Sequence, residues 1–204
     1  MKRTPRATTL GQSAVPTGDA RERILQTAYD LFSVHGLQVG VDTIVAESDV
    51  AKTTLYRHFA SKDELVLAVL ERREKQWAEL WLESEVSRRG RTAEERLLAI
   101  FDVLGDWFRR KDYEGCLFVN SLLETRDRTD PIGAASAAAL GRIRAFVRRL
   151  AEQAGARDPD RLAMQWQMLM VGSIVAASAG DVDAAQGARD AASRLLAAAR
   201  RAVR

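Results

Sequence analysis

The positions of its prolines limit the fold of this chain of 204 residues more than any other sequence feature. The chain has four prolines, and each falls at a predicted break between elements: Pro5, Pro16, Pro131 and Pro159. Because proline lacks a backbone donor and clashes with the preceding turn, the long stretches between these positions can be helical. Runs of alternating apolar and polar residues between turn signals, which would indicate strands, are not seen. The sequence therefore predicts an all-α fold of about nine helices.

Capping residues mark the first helices. Asp19 precedes the amphipathic segment ARERILQTAYDLFSVH, Glu22 stands where a capping box would be completed, and Gly36 follows the segment. Asp42 is predicted to cap a short second helix, TIVAES, and a turn at 48–50 separates that helix from a third. This pattern predicts three helices joined by short turns at the N-terminal end of the chain.

A long fourth helix is predicted to follow. Ser61 can cap it, Glu64 lies three residues further on, and Gly90 can end it. Further helical patterns occur at 93–111, 116–127, 134–154, 159–179 and 183–203. We therefore divide the chain into a flexible N-terminal arm (1–18), a helical head (19–62) and a helical body (63–204).

Composition excludes several kinds of chemistry. The single cysteine, Cys116, rules out an intramolecular disulfide and suits a reducing cytoplasm. With only His35 and His58 beside it, no zinc-type cluster can form. We find no phosphate-binding loop and no pair of nucleophile and base, so we expect neither an enzyme nor a metal or cofactor. The most apolar run, 168–180, is too short to cross a bilayer, so we expect a cytoplasmic protein with no membrane partner.

Residues 50–65, VAKTTLYRHFASKDEL, combine many hydrogen-bond donors with few apolar anchors. Leu55 and Phe59 are four residues apart and so share the inner face of the third helix. A helix, a short turn and a second helix form the pattern that places the second helix in the major groove of DNA. Hydroxyl groups and cations on its outer face can reach base edges and phosphates. From the residues alone, the alternative is a solvated helix in an ordinary bundle.

Three segments carry a resemblance to a known family. ILQTAYDLFSVHG, TIVAES and VAKTTLYRHFASKDEL follow one another as in the DNA-binding domain of TetR-family transcriptional regulators, which residues 20–65 resemble. The resemblance implies contacts with bases at the start of the recognition helix, and contacts with phosphates along it and at the start of the next helix. The residues that it implies are Thr43, Lys52, Thr53, Thr54, Tyr56, Arg57, His58 and Lys62. For Tyr56, the alternative interpretation is packing at the edge of the domain, and for His58 it is a partly buried spacer.

The chain departs from the family pattern at two positions. Asp49 stands in the turn where glycine is usual, and aspartate tolerates a left-handed backbone better than most residues. Thr53 replaces a frequent glycine and adds a hydroxyl and a methyl group towards the groove, which predicts a different operator preference.

The body carries aromatic and sulfur-containing side chains at helical spacing, which either fill a core or line a ligand cavity. TetR-family bodies enclose an effector pocket between their middle helices, so the resemblance implies a largely apolar small-molecule effector. Asn120 lies in a run of Leu, Phe and Val, where its amide needs a partner from a ligand or from a neighbouring helix. The candidate pocket residues are Trp81, Phe101, Phe108, Phe118, Asn120, Trp166 and Met170.

The last two predicted helices, the eighth and ninth, have the composition of a dimer interface. Segments 171–180 and 182–203 are rich in Ala, Gly and Ser, which allow close approach of helices. In the TetR family these helices pair across a two-fold axis, which implies a homodimer on an inverted-repeat (palindromic) operator in double-stranded DNA. Packing within one chain is the alternative. We therefore expect a ligand-responsive repressor, and the rival is a helical small-molecule binding protein whose head no longer reads DNA.

Overall fold

The computed structural model describes residues 19–125 and 129–200, and all regular structure in these two ranges is helical. Ten α-helices occur together with one π-helical segment. The α-helices are α1 (Ala20–His35), α2 (Val41–Ser48), α3 (Lys52–His58), α4 (Lys62–Glu74), α5 (Glu83–Arg89), α6 (Ala93–Phe108), α7 (Leu117–Glu124), α8 (Pro131–Gln153), α9 (Pro159–Ser178) and α10 (Ala184–Arg200). The predicted all-α class is confirmed. The predicted arm at 1–18 and the end of the predicted helix at 183–203 lie outside the described residues.

The head consists of α1, α2 and α3. Asp19 caps α1, where its carboxylate accepts the Arg21 N–H at 2.9 Å. Gly36 ends α1 with a φ of 75°, a conformation that glycine adopts without strain. Glu22 does not serve the predicted capping box, because its carboxylate binds Arg72 of α4. These contacts fix both ends of α1 and join it to the helix that leads into the body.

The predicted cap of α2 is wrong. The helix begins at Val41, and Gly40 is the residue at its N-cap, without a side-chain hydrogen bond. The backbone is already extended at Gly40 (φ −75°, ψ 153°), so the first helical turn starts early enough to include Asp42. The Asp42 carboxylate is therefore available to another partner, which lies in α3.

A continuous helical rod connects head and body. It comprises α4, the π-helical segment Lys75–Leu82 and α5, so the predicted helix from 62 to 89 is present. Ser61 accepts the Glu64 N–H at 3.1 Å, and Gly90 ends the rod, both as predicted. The π-helical turns in the middle of the rod were not predicted, because their wider hydrogen-bond spacing has no clear sequence signature.

Three later helix boundaries differ from prediction. α8 begins at Pro131 rather than at residue 134, because Asp130 caps it and proline fits the first helical position, where its missing N–H is not needed. α6 ends at Phe108, where the chain turns, rather than at residue 111. α7 ends at Glu124, where the Thr125 hydroxyl donates to a carbonyl of the last turn, and residues 126 and 127 of the predicted helix lie outside the described residues.

The body packs α6 at its centre, against α5, α8, α9 and α10. Trp166 of α9 is fully buried and lies 5.6 Å from Phe101 of α6, measured between ring centroids. Gly105 of α6 lies close to Ala185 of α10, which lets these two helices approach each other. In the part of the chain that is described, no helix has both the length and the apolar character needed to cross a membrane.

Candidate nucleic-acid interface

The third helix, α3, is held by the two residues that the sequence assigned to its inner face. Leu55 is 0% exposed and Phe59 is 1% exposed. The guanidinium of Arg21 lies 5.4 Å from the centroid of the Phe59 ring, so α1 covers the end of α3. The prediction that these two side chains anchor the helix is confirmed, and the outer face of α3 is left to polar residues.

The turn before α3 has the left-handed conformation that its sequence requires. Asp49 ends α2 with φ 52° and ψ 50°, and no other non-glycine residue in the described ranges has a positive φ. The expectation that aspartate can replace glycine here is confirmed. The Thr54 N–H then bonds the Ala51 carbonyl at 2.8 Å, which starts the first turn of α3. The turn thus sets the direction in which α3 leaves α2.

All eight residues predicted to contact DNA lie on α2, α3 and the first turn of α4. The exposed members are Thr43, Lys52, Thr53, Tyr56 and Arg57. Thr54, His58 and Lys62 are partly buried. The hydroxyl groups and cationic side chains of α3, next to the start of α4, can donate hydrogen bonds to phosphates and base edges. The individual DNA contacts remain predictions.

Lys52 has an acidic neighbour that sequence reasoning missed. Its ammonium group lies 2.6 Å from the Asp42 carboxylate, and both side chains are more than half exposed. The hydrogen bond with Asp42 raises the pKa of Lys52, so this side chain stays cationic. Because Asp42 was assigned to a helix cap, the sequence offered no signal for this pair. A phosphate that binds Lys52 has to compete with Asp42.

A buried polar cluster joins the head to the body. The Tyr29 hydroxyl of α1 donates to the carboxylate of Glu114, in the connection between α6 and α7. The Arg73 guanidinium of α4 lies 3.9 Å from the same carboxylate and 4.8 Å from the centroid of the Tyr29 ring. Burial raises the pKa of both Tyr29 and Glu114. We call these three residues the junction.

A second contact reinforces the link between head and body. The Glu124 carboxylate, at the end of α7, accepts the Leu37 N–H at 2.7 Å, just after α1 ends. Sequence reasoning missed these contacts, although one signal for Arg73 was present. Arg73 continues the apolar spacing of Leu65 and Val69 along α4, which places it on the buried face, where a charge needs a partner.

The seven predicted pocket residues fall into separate surroundings. Trp81 is partly buried and packs on Trp77, with a centroid distance of 5.6 Å, and Phe108 lies beside Trp107. Asn120 is partly buried, and its amide nitrogen would lie 3.7 Å from a Cβ placed on Gly115. The fully or nearly fully buried members are Phe101, Phe108, Phe118, Trp166 and Met170. Their role in ligand binding is still a prediction.

Metal binding has no support from the described side chains. No three His, Cys, Asp or Glu residues among them lie together in a way that would hold a metal ion. Cys116 is buried, and burial raises the pKa of its thiol.

Comparisons with known proteins agree with this architecture. The sequence model for "Bacterial regulatory proteins, tetR family" matches residues 24–69, and that for "Tetracyclin repressor-like, C-terminal domain" matches residues 93–192. The chain is 26% identical over 170 residues to the HTH-type transcriptional regulator YjdC of Escherichia coli, covering 81% of this chain and 88% of that protein.

Solved structures give the same result. A TetR-family transcriptional regulator from Streptomyces coelicolor is 28% identical with a TM-score of 0.80, covering 89% of this chain and 96% of that one. A tetR-transcriptional regulator from Streptomyces avermitilis is 30% identical with a TM-score of 0.73, covering 89% of this chain and 98% of that one. The chain described here therefore belongs to the TetR family, and is a transcriptional regulator with a helix–turn–helix DNA-binding domain.

Proposed function

We propose that the protein is a homodimeric, ligand-responsive repressor that binds an inverted-repeat operator in double-stranded DNA. In this proposal residues 19–62 bind DNA, and residues 63–204 bind an effector and form the dimer. The observation that carries the DNA-binding part is the division of α3 into two faces. Leu55 and Phe59 are buried, whereas Lys52, Thr53 and Arg57 are exposed beside them.

Exposed apolar side chains on α9 support a dimer with a second copy of this chain. Among the side chains that the structure describes, eight large apolar ones are exposed, and four of these lie on α9 or the turn that follows it. These four are Met164, Met168, Val175 and Val182, with exposures of 39%, 64%, 51% and 47%. Exposed apolar stripes of this kind are typical of protein interfaces.

Two glycines on the same helices favour close helix contact. At Gly172 of α9 and Gly187 of α10, no atom beyond the adjacent residues and the backbone of the same helix lies within 4 Å of the place where a Cβ would be. Intramolecular packing therefore does not require glycine at either position. A partner helix that approaches the backbone would explain both, and a two-fold axis at α9 and α10 would present two copies of α3 to the two half-sites.

The rod provides a route by which an effector could change operator affinity. One end of α4 begins beside α3, and α5 packs against α6 inside the body. The junction residue Glu114 contacts both α1 and α4. A ligand that binds one arrangement of the body better than another would change the spacing between the two heads, and a difference of a few kcal/mol is sufficient.

Lys52 tests the proposed DNA contact directly. Replacing Lys52 by alanine should lower the slope of log affinity against log salt concentration by about 1, because one phosphate contact is lost. Asp42→Asn is the matched variant, since it removes the competing carboxylate 2.6 Å away and should tighten binding at low salt. Fluorescence anisotropy on one operator duplex at several salt concentrations measures both effects. An unchanged slope for Lys52→Ala would remove this residue from the phosphate contacts.

The junction predicts a pH dependence of stability. Because burial raises the pKa of Glu114, the folded protein holds this proton more tightly than the unfolded chain does. The free energy of unfolding should therefore fall as pH rises through the raised pKa, and Glu114→Gln should remove that part of the decrease. Urea unfolding of both proteins between about pH 4 and about pH 7 tests this. Parallel profiles for the two proteins would contradict it.

A further inference from the structure

We propose that the effector site lies at the tryptophan cluster formed by Trp77, Trp81 and Trp107, and that it takes a neutral, flat aromatic molecule carrying a carbonyl-type acceptor. Such a ligand would stack on the rings and accept a hydrogen bond from the Trp77 indole N–H. This inference rests on the proposed role of the body as an effector-binding domain. It deepens that role by naming the residues that recognise the effector and the chemistry that they select.

The first observation is an unpaired donor. Trp77 is only 4% exposed, and its indole nitrogen has no hydrogen-bond partner. Trp166, which is also buried, donates its indole N–H to the Leu97 carbonyl at 3.2 Å. Buried donors in folded proteins are nearly always paired, because an unpaired one costs free energy. The two indoles therefore differ: the fold itself provides an acceptor for Trp166 but none for Trp77.

The second observation is the backbone beneath the cluster. Trp77 and Trp81 both lie in the π-helical segment Lys75–Leu82 of the rod. π-helical turns are rare and occur frequently at functional sites. Wider turns place these two indoles with a centroid distance of 5.6 Å, and Trp107 of α6 packs on Trp77 at 5.4 Å. Aromatic rings at such distances offer flat apolar faces on which a planar ligand can stack.

The third observation is a cavity next to these rings. It has a volume of about 310 Å³, within the range of small-molecule sites, and two of its walls are Trp81 and Trp107. The other lining residues are Glu85, Arg89, Asp106 and Arg110. Trp81 and Trp107 each line the cavity and pack on Trp77, so the Trp77 indole lies directly behind these two rings. In the proposal, a planar group that enters the cavity displaces the partly buried Trp81 ring and so reaches the unpaired N–H.

The charges around the cavity favour a neutral ligand. Arg89 lies 3.2 Å from the Glu85 carboxylate and 2.8 Å from that of Asp106, and Arg110 lies 2.8 Å from Asp112. Each of these charges already has an opposite partner, so an ionic ligand would gain less here than beside an unpaired charge. An uncharged acceptor needs only the indole N–H.

The experiment compares two ligands of nearly equal shape. 2-Acetylnaphthalene carries a carbonyl acceptor, whereas 2-ethylnaphthalene has the same ring system without it. Equilibrium dialysis of the full chain, without DNA, gives the affinity for each compound. Replacing Trp77 by phenylalanine removes the N–H and keeps an aromatic ring. We expect this change to weaken binding of the ketone about fivefold to tenfold, the value of one hydrogen bond, and to leave the hydrocarbon within about twofold.

A second variant keeps the proposal testable if Trp77→Phe does not fold. Trp81→Leu removes a stacking surface at a partly exposed position and should lower the affinity for both compounds by a similar factor. Three results would each overturn the proposed site. They are an equal loss of affinity for both compounds in Trp77→Phe, unchanged affinities in both variants, and no saturable binding of the ketone to the wild type. If the protein distinguishes the ketone from the hydrocarbon as expected but selects no DNA sequence, the proposed function is contradicted and the proposed effector site is not.

Discussion

Replacing Met168 by glutamate is expected to convert the proposed dimer into monomers and to weaken operator binding at least a hundredfold. Met168 is the most exposed of the four large apolar side chains along α9 and the turn after it. In the proposed interface its side chain is buried against a partner helix, where a carboxylate would lose its hydration without gaining an opposite charge. A monomer keeps one head and so loses the gain of about 10²-fold to 10⁴-fold that two linked contacts provide.

Sedimentation equilibrium measures the first effect and anisotropy on the operator duplex measures the second. Val34→Glu is the matched control, because Val34 is 67% exposed against 64% for Met168, but lies on α1 in the head. It introduces the same charge on a similarly exposed apolar residue and should leave the dimer intact. If Met168→Glu sediments as the wild type does, or if Val34→Glu dissociates equally, α9 is not the interface.

Replacing Phe59 by alanine is expected to lower the free energy of unfolding by about 3 to 5 kcal/mol and to abolish operator binding. Phe59 is 1% exposed and lies at the end of α3, under the Arg21 guanidinium. The smaller side chain would leave a cavity between α1 and α3, so the recognition helix would lose the contact that fixes its direction. DNA binding would then be lost because α3 is no longer held in a fixed position against α1.

Tyr56→Ala provides the comparison for Phe59→Ala, since both changes remove an aromatic ring near the end of the same helix. Tyr56 is 45% exposed, so its loss should change stability by less than about 0.5 kcal/mol. It should nevertheless weaken operator binding several-fold, because the hydroxyl is proposed to contact a phosphate. Urea unfolding and anisotropy on the same duplex separate the two outcomes. Unchanged operator affinity in Tyr56→Ala would favour the interpretation that Tyr56 only packs at the edge of the domain.

The features that could be predicted from the sequence are those set by local spacing and capping. Leu55 and Phe59 were placed inside because side chains four residues apart share one face of a helix. Ser61 and Gly90 marked the ends of the rod through the chemistry of helix termini. The left-handed Asp49 followed from the small penalty that aspartate has in this conformation.

The features that could not be predicted depend on contacts between distant segments. Glu114 meets Tyr29 and Arg73 only after α6 and α7 pack against the head, and no local pattern encodes that meeting. Asp42 is a reasonable helix cap by residue type, and only the folded turn brings it to Lys52. Likewise, the aromatic spacing in the body did not distinguish the paired N–H of Trp166 from the unpaired N–H of Trp77.

The most direct test of the proposed function is selection of bound sequences from random double-stranded DNA by the full chain, at near-physiological salt. A dimer with one recognition helix per half should enrich an inverted repeat whose half-sites are centred about one helical turn apart, or a multiple of it. Enrichment of a single unrepeated half-site would contradict the proposed dimer on its operator. Weak, salt-sensitive binding without any enriched sequence would contradict sequence reading by α3, and the ligand-binding alternative would then explain the protein better.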